Sequence, residues 1–315
     1  MTERCTEKTQ QPWRAVALMG ATGTGKTSLA LDVAEVCGSV IISCDSMQLY
    51  RGLDIGTAKA SSEERQRIPH HLIDCADISD IWSAQRWADA ALEIIKEENM
   101  QGRVPLIVGG TGMYLRALVE GFAKIPEEKE GVRDYFVALQ AEHGTPYLHD
   151  LLKQCDPILA ERLHNTDSQR IMRGLCIYKS TNVPLSTWQA EQEAQKEIID
   201  CPVFVLDVPR PELRERLAKR IETMMDAGWL DEVRWLKQQE IAELHPALRA
   251  VGYRQLLMYL DDECSLEEAV RDAITATRKY AKRQVTWFRN QTPNAVRGDA
   301  KTLKQAMTEQ LKAWK

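Results

Sequence analysis

The stretch Ala15-Val16-Ala17-Leu18-Met19-Gly20-Ala21-Thr22-Gly23-Thr24-Gly25-Lys26-Thr27 carries more information than any other in this chain. Its first five residues are an apolar run that reads as a buried strand. Ser28 to Ala34 read as the first turns of a helix. Between them lies a complete G-x-x-x-x-G-K-[ST] pattern, a phosphate-binding loop or P-loop. Its glycines let backbone N–H groups turn toward an anion at the helix N-terminus. Lys26 can reach the outer phosphate and the Thr27 hydroxyl can ligate a magnesium ion. Gly20, Ala21, Thr22, Gly23, Thr24, Gly25, Lys26 and Thr27 are therefore candidate residues for binding a di- or triphosphate, with Thr27 the magnesium ligand. The motif leaves open whether the phosphate is hydrolysed, transferred or simply leaves.

Working outward, Ser39 to Ser43 form a β-branched run that leads to Asp45. Trp82 to Met100 have helical apolar spacing, and Val104 to Val108 form a second buried run that ends at Gly109-Gly110. Alternation of this kind predicts a parallel sheet with helices on both faces. The ligand crevice of such a sheet lies at the carboxyl ends of its strands. Lys26, Asp45 and Thr111 all fall at such ends. From Pro126 to Ile199 the pattern is helical and polar, broken at Pro146, Pro157 and Pro184. Val203 to Val208 then read as a strand returning to the sheet, followed by helices over 210–228, 230–243, 266–290 and 300–314. The expected fold is α/β, a P-loop NTPase-like parallel sheet flanked by helices. Residues 13–125 and 200–315 form its core, 126–199 an inserted helical subdomain, and 1–12 a loose tail.

Composition narrows the class. The chain has 315 residues, 44% hydrophobic and 28% charged, as in a soluble globular protein. No apolar run approaches the ~20 residues of a membrane span. Met1 to Pro12 are polar and carry no signal-peptide core. The eight cysteines are scattered without a C-x-x-C pair, which argues against a zinc site or a disulfide framework and fits reduced thiols in the cytosol. A net charge of −5 argues weakly against a nucleic-acid partner. Residues 271–290 nevertheless carry Arg271, Arg278, Lys279, Lys282, Arg283 and Arg289 against Asp272 alone. Arg278 and Lys282, like Lys279 and Arg283, are one helical turn apart, so one face is cationic while Ala281, Val285 and Phe288 pack inward. Phosphate-backbone contact and a merely solvated face both remain open for it.

Other constellations carry chemistry of their own. Asp45 at a strand tip can act as a general base in the crevice, or cap a turn. The loop Gly109-Gly110-Thr111-Gly112 ends a strand where many P-loop NTPases hold magnesium with an Asp; its glycines permit close approach of a ligand, or serve packing. His70 and His71 point to opposite sides of a strand and do not form a joint metal site. Arg216 and Arg220 are one turn apart and can clamp a diphosphate or join surface ion pairs. A small-molecule kinase or a nucleotide-gated RNA binder could use several of these features.

Six segments together resemble one family. They are 20–27, Asp45 to Lys59 (DSMQLYRGLDIGTAK), Pro69 to Asp74 (PHHLID), Gly109 to Leu118, Val251 to Gln255 and Thr277 to Arg289. The chain resembles the tRNA dimethylallyltransferases, also called tRNA isopentenyltransferases, from about residue 15 to 290. The resemblance implies transfer of a dimethylallyl group from dimethylallyl diphosphate to the exocyclic amine of the adenosine 3′ of the anticodon, with Mg2+ assisting. It implies catalytic roles for Asp45, Thr111 and Arg220. It also implies tRNA contacts at Asp45, Ser46, Met47, Gln48 and Thr111, at Arg133, and at Gln169, Arg170, Ile171, Met172 and Arg173. Further implied contacts are Arg249, Gly252, Tyr253 and Arg254, then Arg278, Lys279, Lys282, Arg283 and Gln284. The target base must leave its stack to react. The expected partners are the tRNA anticodon stem-loop and dimethylallyl diphosphate, with no membrane, for a cytoplasmic monomer. Ala21 and Thr24 depart from the family's usual Pro and Ser. No Cys/His pattern follows Cys264, so the chain resembles the shorter bacterial form.

Overall fold

The computed structural model of the chain describes residues 12–121, 125–191, 199–242 and 245–314. The tail expected over 1–12 lies outside these residues except for Pro12. The described residues fall into two compact units, one within 1–119 and 198–315, the other within 120–197.

The first unit is built on a six-stranded sheet in which every pairing is parallel. Short strand β1 (Trp13–Arg14) pairs outside it with β6 (Ile199–Asp200). The sheet runs β4 (His70–His71), β3 (Ile41–Cys44), β5 (Leu106–Gly109), β2 (Val16–Met19), β7 (Val203–Leu206), β8 (Val296–Gly298). Residues of β2 and β3 are buried throughout, as expected for parallel strands covered on both faces. Val16 and Leu18 join a core with α1 (Lys26–Cys37) and α13 (Ala300–Ala313), where Leu29, Val33, Leu303, Met307 and Leu311 meet. The strand's period of two sends Ala17 and Met19 to the other face, where they are also closed to solvent. Helix α3 (Ala84–Met100) is tied to the sheet by Trp87, whose indole N–H donates to the Ser43 carbonyl at 2.9 Å and whose ring stacks on Tyr114.

The short elements β1, α2 (Ser62–Arg67), α4 (Gly112–Glu120), β6, α11 (Tyr253–Leu260) and β8 were not expected from the sequence. Helix α9 (Arg210–Asp226) follows β7, and α10 (Trp229–Lys237) ends six residues before the expected boundary, where Gln238 and Gln239 close the last turn with short-range bonds. The basic stretch lies in α12 (Leu266–Gln291), one unbroken helix opened by a capping box at Ser265 and Glu268.

The second unit is helical: α5 (Val132–Cys155), α6 (Pro157–Arg162), α7 (Ser168–Thr181) and α8 (Leu185–Glu191). The interruption expected at Pro146 falls at Gly144, whose φ of 81° kinks α5 two residues earlier. Thr145, directly before the proline, is the position that Pro146 disfavours in helical conformation. Leu148, Leu152, Ile171, Leu175 and Ile177 form this unit's core. Asp156 is fully buried and stabilised by three donors: the N–H groups of Leu159 and Ser186 and the Ser186 hydroxyl. Among the described residues no helix is long and apolar enough to cross a membrane.

Candidate active site

Strand β2 delivers the P-loop to the carboxyl edge of the sheet. Gly23 and Gly25 hold φ of 80° and 93°, values at which a side chain is strained, so the loop turns tightly into the N-terminus of α1. The Thr24 hydroxyl is turned inward and donates to the Ala21 carbonyl at 2.9 Å; it braces the loop instead of facing a ligand. Ala21 packs against Leu213, Leu217 and Ala281, which leaves only its backbone for a ligand.

Lys26 and Thr27 open onto a cavity of about 610 Å³ at the ends of β2, β3 and β5, together with Asp45, Arg220, Arg249 and Arg283. Two carboxylates, Asp45 and Glu64, line the same cavity, and Asp45 acts on both Lys26 and Arg220. Desolvation is the largest influence on Lys26 and lowers its pKa to about 8; Asp45 acts against that and Arg220 adds to it. Arg220 is likewise lowered by burial and supported by Asp45. Lys26, Arg220 and Asp45 thus form one electrostatic group. The Lys26 ammonium donates to the Ala21 carbonyl at 2.8 Å. Arg216 is set apart from this group, paired with Glu212 and donating to the Thr24 carbonyl. Leu217, Ile221, Met224, Trp229 and Val251 give the cavity apolar lining, the first three on the same helix as Arg220.

Asp45 follows β3 directly. One of its carboxylate oxygens accepts from the Met47 N–H at 2.9 Å, which fixes the side chain in a turn while it lines the cavity. Both sequence readings of Asp45, turn cap and crevice carboxylate, describe it. Ser46, Met47 and Gln48 line the same wall. Gln48 accepts from the Ser43 hydroxyl at 3.0 Å and donates to the Thr57 carbonyl at 3.1 Å. The Thr111 hydroxyl accepts from the Ser46 N–H at 3.2 Å, so Thr111 stands behind Asp45-Ser46 and stitches the two loops together. Gly109 and Gly110 form the cavity wall there.

The glycines of this second loop serve both readings left open for them: Gly109 and Gly110 line the cavity, and Gly110 and Gly112 also make room for a helix. A Cβ on Gly110 would fall 2.4 Å from Gln284 Nε2, and one on Gly112 would fall 2.3 Å from the Trp287 ring. Their lack of side chains lets α12 lie against the sheet edge. Gln284, expected to touch RNA, lines the cavity and is also a strut: it accepts from the Thr22 N–H and donates to the Gly110 carbonyl, both at 2.9 Å. Tyr253 also lines the cavity, buried edge-on to Trp229 with its hydroxyl on Glu232. Gly252 is pressed against the Trp229 ring. Arg249 reaches the cavity, and Arg254 is exposed.

Arg278, Lys279, Lys282 and Arg283 form an exposed cationic face on α12, while Ala281, Gln284 and Phe288 point inward. Lys279, Lys282, Arg283 and Trp287 line a second, shallower groove. In the helical unit, Gln169 and Arg170 are exposed, and Arg133 and Arg173 both pair with Glu128. Ile171 and Met172 are core residues of that unit, so side-chain contact with RNA is ruled out for them. His70 lines the cavity, and burial lowers its pKa, which keeps it neutral. Sequence reasoning missed Trp229 and Gly56 to Ala58 as cavity wall, and Glu232 behind it.

A family model described as IPP transferase matches residues 48–291. The tRNA dimethylallyltransferase of Azorhizobium caulinodans is 42% identical over 299 residues, covering 95% of this chain and 96% of that protein. That of Halorhodospira halophila is 44% identical over 280 residues, covering 88% and 90%. The full-length tRNA isopentenylpyrophosphate transferase of Bacillus halodurans aligns in structure with a TM-score of 0.70 at 33% identity, over 96% of each chain. A eukaryotic dimethylallyltransferase whose structures are described as acting on tRNA aligns with a TM-score of 0.75 at 28% identity, over 91% of this chain and 74% of that one.

Proposed function

This chain belongs to the IPP transferase family, and we propose that it is a tRNA dimethylallyltransferase. It transfers the dimethylallyl group of dimethylallyl diphosphate to the N6 amine of the adenosine 3′-adjacent to the anticodon. One observation carries the assignment of roles: Lys26, Thr27, Arg220 and Asp45 line a single cavity that also has apolar lining. The cations suit a leaving diphosphate, the apolar lining suits a five-carbon chain, and the carboxylate suits a nucleobase amine.

In the reaction the N6 lone pair forms a bond to the prenyl C1. The C1–O bond breaks and its electrons leave with the diphosphate. Lys26 and Arg220 stabilise the charge that develops on the leaving oxygen. One N6 proton passes to Asp45 and from there to solvent. Thr111 holds the Ser46 backbone and thereby the turn that presents Asp45. No step consumes water, and exclusion of water by the bound base protects the donor from hydrolysis.

Among the described residues there is no group of three or more His, Cys, Asp or Glu able to hold a metal alone. The residues present nevertheless fit Mg2+, which commonly takes few protein ligands beside substrate phosphates. Thr27 would supply the hydroxyl, and the ion would neutralise diphosphate charge when bound. The RNA reaches the cavity with its target base flipped out. The exposed cations of α12 meet the phosphate backbone, and we assign Gln169, Arg170, Arg133 and Arg173 of the helical unit to the same task. A cytoplasmic location follows from the substrate.

The test is purified protein with labelled dimethylallyl diphosphate and bulk tRNA. Label should enter tRNA in the wild type. Asp45→Ala should lower the rate by about 10³-fold or more while tRNA binding is retained, the scale expected for losing the acceptor of the transferred proton together with its electrostatic support. Near-normal turnover of Asp45→Ala removes that residue from the mechanism, and phosphorylation of a small molecule by ATP with unlabelled tRNA overturns the assignment.

A further inference from the structure

Behind the cavity wall, a carboxylate from a helix that carries no catalytic candidate holds three consecutive backbone N–H groups. Glu232 Oε2 accepts from the N–H of Asp54 and of Ile55, both at 2.7 Å, and Oε1 accepts from the N–H of Gly56 at 3.0 Å. The Tyr253 hydroxyl donates to the same Oε1 at 2.5 Å. Burial and the neighbouring Glu232 hold the Tyr253 phenol well above its ordinary pKa, so it remains a donor. Four donors on one carboxylate form a strong, charge-assisted cluster. Consecutive N–H groups that converge in this way make an anion nest, and here the anion is the protein's own.

Only glycine admits this arrangement at position 56. A Cβ there would fall 2.0 Å from Trp229 Nε1 and 2.6 Å from the Tyr253 ring. Trp229 lies three residues before Glu232 on α10, so packing of the indole and seating of the carboxylate are one event.

The anchored loop reaches the reacting groups in two steps. Its Thr57 and Ala58 carbonyls accept from Gln48 Nε2 at 3.1 Å and 3.4 Å. Gln48 stands three residues after Asp45 and lines the cavity with it. On the far side, Lys59, whose side chain is 2% exposed, donates to the Tyr50 carbonyl and pairs with Asp54 and Asp74. We infer that Glu232 is a positioning residue: it fixes the Asp54–Ala58 wall and, through Gln48, the place of Asp45 and of the acceptor base. The inference rests on the proposed prenyl transfer for its kinetic readout only.

The experiment compares wild type with Glu232→Ala, and with Glu232→Gln, which keeps shape and one acceptor oxygen. Turnover on tRNA should fall roughly tenfold to a hundredfold in Glu232→Ala, the scale of a small misplacement remote from the chemistry, and less in Glu232→Gln. Affinity for inorganic pyrophosphate, measured by calorimetry, should stay within about twofold because the P-loop is untouched. Amide exchange at residues 54–56 should quicken about tenfold or more while exchange at residues 20–27 is unchanged. Unchanged turnover overturns the inference. So does a loss of pyrophosphate affinity in step with turnover, which marks general damage to the fold. If Glu232→Ala does not fold, Glu232→Gln is judged by the same three readouts. A wild type that modifies no tRNA refutes the proposed reaction and leaves the exchange measurement to judge Glu232.

Discussion

Two loops of the larger unit, 20–27 and 54–58, are both built to surround an anion with backbone N–H groups, and they are finished in opposite ways. The first follows β2, turns on Gly23 and Gly25, and brings Lys26 to a cavity that Arg220 and Arg283 also line. The second receives Glu232 from α10, with no lysine or arginine among its four donors. What separates a binding loop from a structural one is therefore not the supply of backbone N–H groups, which the P-loop pattern gives the first and the bonds to Glu232 show in the second. It is whether the surrounding side chains are cations in need of a counter-charge or a carboxylate that already supplies it. The comparison fails if the two loops respond alike to substitution, and each measurement below asks whether they do.

The largest effect is expected at the first loop. Lys26→Ala should lower prenyl transfer by about 10³-fold, the scale of removing one positioned charge-stabilising donor, and weaken pyrophosphate binding in parallel. Equal pyrophosphate affinity in wild type and variant would show that the lysine does not hold the leaving group.

At the second loop the comparable change is Gly56→Ala. The added methyl group meets both Trp229 and Tyr253 at less than contact distance, so both rings or the loop must shift. Overpacking of this kind costs about 1–3 kcal/mol of stability. Turnover should fall roughly tenfold to a hundredfold with the wall, by the same misplacement argument as for Glu232, and pyrophosphate affinity should hold. A melting curve beside the two assays checks it; parallel loss of pyrophosphate affinity would mean that the two loops are not independent.

The same contrast explains what could be read in advance. The P-loop was legible because its strand, glycines, lysine and helix lie within about 20 consecutive residues, and local chemistry dictates their arrangement. The order of β2, α1, β3, α3, β5 and β7 was legible for the same reason, as apolar runs of the right period. Asp45 was legible by its place at a strand tip. Glu232 was not, because the groups it serves are 176 to 178 residues away and nothing around it on α10 marks a nest. The loop 109–112 stayed open in the sequence because a glycine shows only that something comes close; whether that is a ligand, α12 or both depends on a helix more than 150 residues on. Ile171 and Met172 were misjudged as side-chain contacts because segment-level resemblance to RNA-contacting stretches does not say which face of the helix is buried. The short elements β1, α2, α4, β6, α11 and β8 were missed because two to nine residues carry too little periodicity.

A pH titration sharpens the comparison at smaller amplitude. Lys26 sits near pKa 8 against an ordinary 10.5, chiefly through desolvation. A bound diphosphate favours the charged amine, so the pKa rises in the complex. Affinity should therefore be level below pH 8 and fall by up to about tenfold per pH unit above it, with net proton uptake on binding. The sign for stability is opposite. Between pH 8 and 10.5 the unfolded chain binds more protons at this residue than the folded one, so its contribution to stability rises with pH across that window. Calorimetry in two buffers of different ionisation enthalpy, with Lys26→Met as reference, checks the uptake. The nest contains no such group, and Gly56→Ala should leave this profile unmoved.

The smallest effect concerns the cations outside both loops. Lys279 and Lys282 are exposed on α12 and line its shallow groove, whereas the neighbouring Arg283 also faces the main cavity. Replacing the two lysines by alanine thus changes the surface cations without entering either loop. Each RNA phosphate left without its lysine should flatten the dependence of log affinity on log salt by about 1, so the double variant should bind tRNA with a slope shallower by about 2. Near physiological salt this is a loss of roughly tenfold or more in tRNA affinity, equal across tRNA sequences because phosphates carry no base identity. Pyrophosphate affinity, which reports the P-loop, should not change. An unchanged salt slope would leave the α12 cations as a solvated face; a flattened slope with weakened pyrophosphate binding would mean that surface charge and P-loop cannot be treated as separate devices.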